Sequence, residues 1–569
     1  MQEAVWDPPG AGFWRIEAGH CLGAMTPIGQ HLMVRGMHPG MATVFRLYGV
    51  PAETLDPRFV NGRLYTRLRP LIAPDKPAAK LPPAPLLKLV VRLHPEFRRR
   101  NKNAAHTLAT QPWRRTVREW DESGRAAQAA KNYVLQDVDL SALDDTALMT
   151  HATRTLEHAI ESWQLHFILH GADLGPIGML ISEAAAWSLP VDEVIGALAG
   201  ASPSTSEPTR LLASLRRRVE ASGVQPTTLE GLRAASPEIA ADLDGYLRMR
   251  GTHVFSRYDI DGVTLGELPD VVLASVLGAQ EVTRGDDPEG LAASLRARVP
   301  AGDRARFDEL LTEARLAMDL RDDNGPHTVE WTLGLIRLAL LEIGRRLVER
   351  GRLDDVRLVM ELTPDELSTV LTDRGPSNDE LNLRAECRRA LSALAAPTTL
   401  GTPEPEPPPG TLPRPLATLV AVVQCVINLL DKQPARHGLA GTGVGTRPYT
   451  GPVRIARSPE EAVNNVEIGD VLVVPFTTPA YNVILSAVGA IVTVDGGPLS
   501  HAAVLARELE IPAVIGASEA LAQLRDGMIV EVDPAAGEVR VLSAVPQPAA
   551  PRNQPAAPRN QPVAPRNQP

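Results

Sequence analysis

The stretch Thr493-Val494-Asp495-Gly496-Gly497-Pro498-Leu499-Ser500-His501-Ala502-Ala503-Val504-Leu505-Ala506-Arg507-Glu508 constrains this chain more than any other. The apolar run from Ala490 to Val494 predicts a buried strand. Two glycines break it, and Ser500 and His501 then open a helix-like stretch that stops before Ile511-Pro512. Ser500 suits an N-cap, because its hydroxyl can accept from a backbone N–H of the first turn. His501 is placed beside the unpaired N–H groups and the positive dipole end of a helix, where an anion is favoured. Gly496 and Gly497 leave the backbone open to a bulky charged group. The arrangement suits an imidazole that carries phosphate.

The whole string resembles the phosphohistidine swivel domain of the phosphoenolpyruvate-utilising enzyme family, to which phosphoenolpyruvate synthase, pyruvate phosphate dikinase and rifampin phosphotransferase belong. The family's pattern is met at Gly496, Gly497, Ser500 to Ala503, Ala506 to Glu508 and Ile511 to Val514. Upstream, Glu467-Ile468-Gly469-Asp470 precedes the short apolar strand Val471 to Val474, and Thr477 to Tyr481 is similar to the family's next loop. Downstream, Asp526 to Asp533 reads as turn, strand, turn, and Glu538 to Leu542 as a last strand.

Composition frames the remainder. The 569 residues are long enough for about three domains. A formal net charge of −10 and the lack of a basic run interleaved with aromatics argue against a general nucleic-acid binder. Cys21, Cys387 and Cys425 are far apart, with neither metal-ligand nor disulfide spacing, which fits a reducing cytosol. No metal site is expected. The N-terminus lacks the basic and apolar regions of a signal peptide. Leu416 to Leu430 is apolar but short for a bilayer span, so a packed helix is expected rather than a membrane segment.

These features divide the chain. Residues 1–395 are mainly helical by pattern. Leu148, Ala152, Leu156, Ile160, Trp163 and Phe167 repeat at helical spacing, as do Leu333, Ile336, Leu340, Ile343 and Leu347. A proline-rich linker, 396–415, follows. Residues 416–444 read as a helix and a glycine-rich hinge, and 445–545 as the swivel domain. The tail, 546–569, repeats a Pro-Arg-Asn-Gln-bearing heptapeptide that cannot bury a core. The fold class is therefore multidomain, a large mainly α-helical acceptor-binding region followed by a C-terminal α/β swivel domain.

A broader resemblance covers the helical half. Trp14, Glu17, His20, Thr26 and Pro27, then Arg58 to Gly62, are similar to the opening of the acceptor-binding domain in rifampin phosphotransferase-like proteins. A family Gly-His-Arg stretch, with an aspartate, a glutamate and a proline following, reads here Gly251-Thr252-His253, Asp259, Asp261, Glu267 and Pro269, so the arginine is missing and the histidine displaced by one. Arg321-Asp322-Asp323-Asn324 also fits the family.

The resemblance implies a mechanism. His501 would be the phosphorylated residue. Backbone N–H groups after Gly496 and Gly497, the Ser500 hydroxyl, Thr493 and Arg507 would stabilise the phosphate. His20, His253, Asp259, Asp261, Glu267 and Arg321 are the candidates for the acceptor site, and Trp14 and Trp163 are candidates to line it. No ATP-grasp segment and no (β/α)8 barrel is read in this sequence. The expectation is thus a cytoplasmic phosphotransferase subunit that takes phosphate from Mg²⁺ and ATP bound to a separate ATP-grasp partner and passes it to a small organic hydroxyl acceptor. The alternatives are a non-catalytic binding or regulatory protein that keeps the swivel domain, and an enzyme that activates a hydroxyl for dehydration.

Overall fold

The computed structural model describes residues 4–17, 21, 23–76, 81–255, 257–279, 287–372, 374–403, 405, 407–408, 410–430, 438–457, 459–477, 481–485 and 487–543. His20 and the heptapeptide tail lie outside these residues. A helical region carries a small antiparallel sheet on one side, and a mixed β unit closes the chain.

The small sheet has the order β2-β3-β1-β4, built from β1 (Phe13–Ile16), β2 (Thr54–Val60), β3 (Arg63–Arg69) and β4 (Thr399–Gly401). The stretch expected to be a linker therefore begins as a paired strand, with Leu400 opposite Trp14. Trp14 is buried there, with the Arg67 guanidinium 4.9 Å from its ring centroid.

Helices α1 (Pro27–Tyr48), α2 (Asp145–Ala186), α3 (Pro203–Ser222), α4 (Arg304–Gly325) and α5 (Trp331–Glu349) position the site. Thr26 caps α1 by accepting from Gly29 N at 3.0 Å, and Pro27 presets the first turn. Asp144 caps α2 in the same way, accepting from Ala147 N at 2.7 Å. The stripe read from sequence in α2 does face inward, and the helix runs on through Pro176 to residue 186. Ile28 and Leu32 of α1, Leu148 and Trp163 of α2, and Leu333 and Ile336 of α5 share one apolar core. Gly36 permits this approach, because a Cβ there would lie 2.6 Å from the Trp163 Cβ. By length and hydropathy α2 is the one helix among the described residues that could cross a bilayer. Here its apolar face is covered by α1, α4 and α5. A π-helical turn, Pro326–Glu330, joins α4 to α5.

Helix α6 (Arg414–Leu430) lies against α2, with Leu416, Leu419, Val422 and Val426 buried. The last unit is a seven-stranded sheet of order β11-β10-β6-β7-β8-β9-β5. Its strands are β5 (Thr442–Val444), β6 (Tyr449–Ile455), β7 (Val471–Val474), β8 (Ala490–Thr493), β9 (Ala513–Ile515), β10 (Ile529–Asp533) and β11 (Glu538–Ser543). The central strands β6 to β9 are parallel, and the outer pairs antiparallel. Strands β7 and β8 are buried at every position, as expected of parallel strands covered on both faces. Part of the glycine run expected to be a hinge is instead β5, the edge strand beside β9. The unit thus starts before residue 445, because these glycines satisfy their backbone groups in the sheet.

Candidate active site

His501 is the first residue of α7 (His501–Glu508), which follows β8 through a tight turn. Thr493, fully buried at the strand end, donates to Asp495 O at 2.8 Å and accepts from Gly516 N at 3.3 Å. Gly496 has φ +120°, and a Cβ there would lie 2.9 Å from Ser500 Oγ. Ser500 caps the helix, accepting from Ala503 N at 3.4 Å. Arg507 reaches back to donate to Pro498 O at 2.6 Å. Thr493 and Arg507, expected to touch phosphate, are engaged with the backbone that shapes the turn. Gly496, Gly497 and Ser500 stand directly before His501.

Thr477 Oγ1 lies 2.8 Å from His501 Nδ1, and Thr477 is itself buried. This contact joins the loop after β7 to the start of α7 and fixes the imidazole plane. The sequence reading noted that loop but gave Thr477 no part. Its partner is 24 residues away, and only the parallel pairing of β7 with β8 brings the two strand ends together.

His501, Thr477, Leu499 and Val504 form one wall of a cavity of about 410 Å³. The helical region supplies the other walls. Met33 and Met37 of α1 and Trp163, His166, Phe167 and His170 of α2 face it, with Thr209 and Leu212 of α3 and the 246–258 and 321–330 segments. The lining is mostly apolar, with a few polar groups, as in sites for organic ligands. Arg250 and Arg321 line it, and among the described residues neither makes a salt bridge. Glu330 closes the π-turn, 3.2 Å from the Tyr258 hydroxyl, and burial raises its carboxyl to about 7. His253 is buried against Trp331, with ring centroids 5.0 Å apart, and burial lowers its pKa well below the usual histidine range. Asp323 is also buried. Burial pushes its carboxyl up, but the bonds from His327 and Arg125 outweigh that and hold it below the usual range.

The candidates from sequence therefore separate. His253, Arg321 and Trp163 reach the cavity. Trp14, Asp259, Asp261 and Glu267 do not. Asp259 accepts from Thr26 N at 2.7 Å and Thr26 Oγ1 at 2.6 Å, anchoring the start of α1. Burial, with Asp261 nearby, raises its carboxyl. Asp261 pairs with Arg388 at 2.6 Å and Arg257 at 3.2 Å. Glu267 accepts from Arg337 and closes a capping box on Thr264. These carboxylates hold the segment in place, a duty that residue type alone does not distinguish from acid–base work. Unforeseen in the cavity are Arg250, Glu330, His166 and His170. The two histidines were visible as an i, i+4 pair beside Trp163 and Phe167, a helix face of mixed chemistry. Among the described residues no cluster of three or more His, Cys, Asp or Glu side chains is placed to hold a metal ion.

Comparison with known proteins adds to this geometry. Residues 466–537 match the family model for the PEP-utilising enzyme, mobile domain. The uncharacterised phosphotransferase YvkC of Bacillus subtilis is 32% identical over 242 residues, 42% of this chain and 28% of its own length. The chondramide synthase cmdD of Chondromyces crocatus is 29% identical over 95% of this chain and 14% of its own length. The rifampicin phosphotransferase of Streptomyces sviceus is 32% identical over 205 residues, 36% of this chain and 21% of its own length. The chain thus spans well under half of each relative. Match, sheet and the histidine at the head of α7 agree that the C-terminal unit is a phosphohistidine mobile domain of the PEP-utilising enzyme family.

Proposed function

We propose that the chain is a phosphotransferase component in which His501 takes a phosphoryl group from ATP held by a separate ATP-grasp protein, with Mg²⁺, and delivers it to a hydroxyl compound bound in the cavity. The observation that carries this reading is that His501 opens into a cavity whose remaining walls belong to the helical region. A carrier histidine placed there sits where it would discharge.

The chemistry follows from the contacts. On this reading the tautomer is the one in which Nδ1–H donates to the Thr477 hydroxyl, 2.8 Å away, which leaves Nε2 as the nucleophilic nitrogen. Nε2 attacks the β-phosphorus of ATP and an N–P bond forms as the P–O bond to AMP breaks; water then cleaves the terminal phosphate as inorganic phosphate, and the β-phosphoryl group stays on Nε2. In the second step the acceptor oxygen attacks phosphorus, the N–P bond breaks, and its electron pair returns to Nε2 of a neutral imidazole. Such a covalent intermediate divides one difficult transfer into two. Arg250 and Arg321 supply positive charge in the same cavity, and phosphoryl transfer depends mainly on positioning and charge stabilisation. The domain must leave the cavity to be loaded, which makes its movement part of the cycle.

The test is labelling. The protein is mixed with an ATP-grasp partner, Mg²⁺ and ATP labelled at the β-phosphate. Acid-labile label on the wild type and none on His501→Ala is the expected result. Label on neither, with a partner proven competent on another substrate, would favour a binding or regulatory module.

A further inference from the structure

Three groups in the cavity wall deserve comparison as proton acceptors. Glu330 is held by the Tyr258 hydroxyl, and His253 is enclosed against Trp331. His170 differs from both. Its side chain is 39% exposed, and its Nδ1 lies 3.0 Å from Oδ2 of Asp173, whose side chain is 1% exposed. The other oxygen of Asp173 is buried and makes no hydrogen bond among the described residues. A buried carboxylate with so little support is costly unless a partner compensates it, and the partner here is the imidazole. A carboxylate at Nδ1 selects the tautomer with the proton on that nitrogen and leaves Nε2 as an acceptor.

Position separates His170 from its neighbours on the same helix. Trp163, His166, Phe167 and His170 form one face of α2 toward the cavity. One turn beyond His170, Leu174 packs on the apolar cluster that contains Leu499 and Val504, the residues flanking His501. His170 lines the same cavity as His501. His166, one turn earlier on α2, has its Nδ1 beside the Thr328 hydroxyl.

We propose that His170, oriented by Asp173, is the general base that takes the acceptor's hydroxyl proton as the phosphoryl group leaves His501. This rests on the carrier reading given above. In the step, the acceptor O–H proton passes to His170 Nε2, the O–P bond forms, the N–P bond to His501 Nε2 breaks, and neutral His501 is restored. His170 then releases its proton to solvent. Asp173 is a positioning residue.

The experiment uses the full chain charged chemically on His501 with phosphoramidate, which removes any need for the ATP-binding partner. Discharge is followed at about pH 8 with two probe acceptors. One is phenol, which must lose its proton in the reaction, and the other 4-nitrophenol, which is already largely ionised. His170→Gln is expected to take up label as the wild type does. It should discharge to phenol at least about 100-fold more slowly, and to 4-nitrophenol no more than about tenfold more slowly. Asp173→Asn should shift the ratio of the two rates in the same direction. A His170→Gln protein that discharges to phenol at the wild-type rate, or that slows equally with both acceptors, overturns the assignment. A wild-type protein that takes no label at His501, or passes it to neither phenol, overturns the carrier reading and the base with it, before any variant is made.

Discussion

At the scale of single residues, the site is a set of groups whose neighbours decide their chemistry. His501 was legible because a local string of glycines, serine and small residues surrounds it. Thr477 was not, because its contact depends on the register of two parallel strands. The acidic residues near Gly251 show the converse. Asp259, Asp261 and Glu267 have the residue types of acid–base catalysts, yet each is taken up by a backbone or guanidinium partner. Glu330 went unnoticed in the sequence, and its surroundings give it an unusual titration. Its folded pKa is raised from the ordinary value of 4.5 to about 7 by burial. The folded state therefore binds the proton more tightly, and the stability this contributes is present below about pH 4.5 and lost as pH rises through about 7. Glu330→Gln, which mimics the protonated form, should be more stable than the wild type by up to about 3 kcal/mol near pH 8, a gain that vanishes near pH 4. Urea unfolding at the two pH values measures it. An equal difference at both would show that the carboxyl is not perturbed.

Elements add constraints that no single side chain holds. Helix α7 is only eight residues long, too short to be stable alone. It is held by the Ser500 cap, by Arg507 clasping the turn, and by the burial of Ala502, Ala503 and Leu505 against the sheet. The glycine at 496 is the hinge of that geometry, since its φ of +120° is one that L side chains rarely adopt. Gly496→Ala should destabilise the mobile unit by about 1–2 kcal/mol or more and displace Ser500, with a matching fall in label at His501. Denaturant unfolding together with phosphoramidate labelling checks both parts, and full labelling at wild-type stability would contradict the account. The long helical elements were readable from their apolar stripes, and Trp331–Glu349 begins and ends where the pattern does. The π-helical turn before it was not, because the sequence keeps its helical character through Pro326–Glu330 while the backbone takes an extra residue. Such turns often accompany functional sites. This one places Pro326, Val329 and Glu330 in the cavity wall.

For the whole molecule, the informative contact is between the mobile unit and the helical region. Leu499 N donates to Leu429 O at 3.1 Å, and Gly200 N donates to Glu508 Oε1 at 2.6 Å. Leu499 and Val504 are buried with Ile177, Ile181 and Val426. Burying Leu499 and Val504 stabilises the docked arrangement by about 1.5–3 kcal/mol each at most, enough to favour contact yet small enough to reverse. Periodicity identified the helices and the motif identified the mobile domain, but the face on which one rests against the other is a matter of surface fit that no local pattern records. Leu499→Ala should weaken docking by about 2–3 kcal/mol. It should leave chemical loading of His501 by phosphoramidate unchanged and, on the proposed reading, slow discharge to an acceptor about tenfold or more. Discharge at the wild-type rate would mean that this docked pose is not the one in which transfer occurs.

The cavity borrows one wall from the domain that carries His501. If that domain swings away as the proposed cycle requires, the chamber would lose its lid, so the same movement that sends the histidine for its next phosphate would also let the finished product out and a fresh acceptor in. Reloading and product escape then share a single clock, and the reaction advances like an airlock, with one door opening as the other shuts.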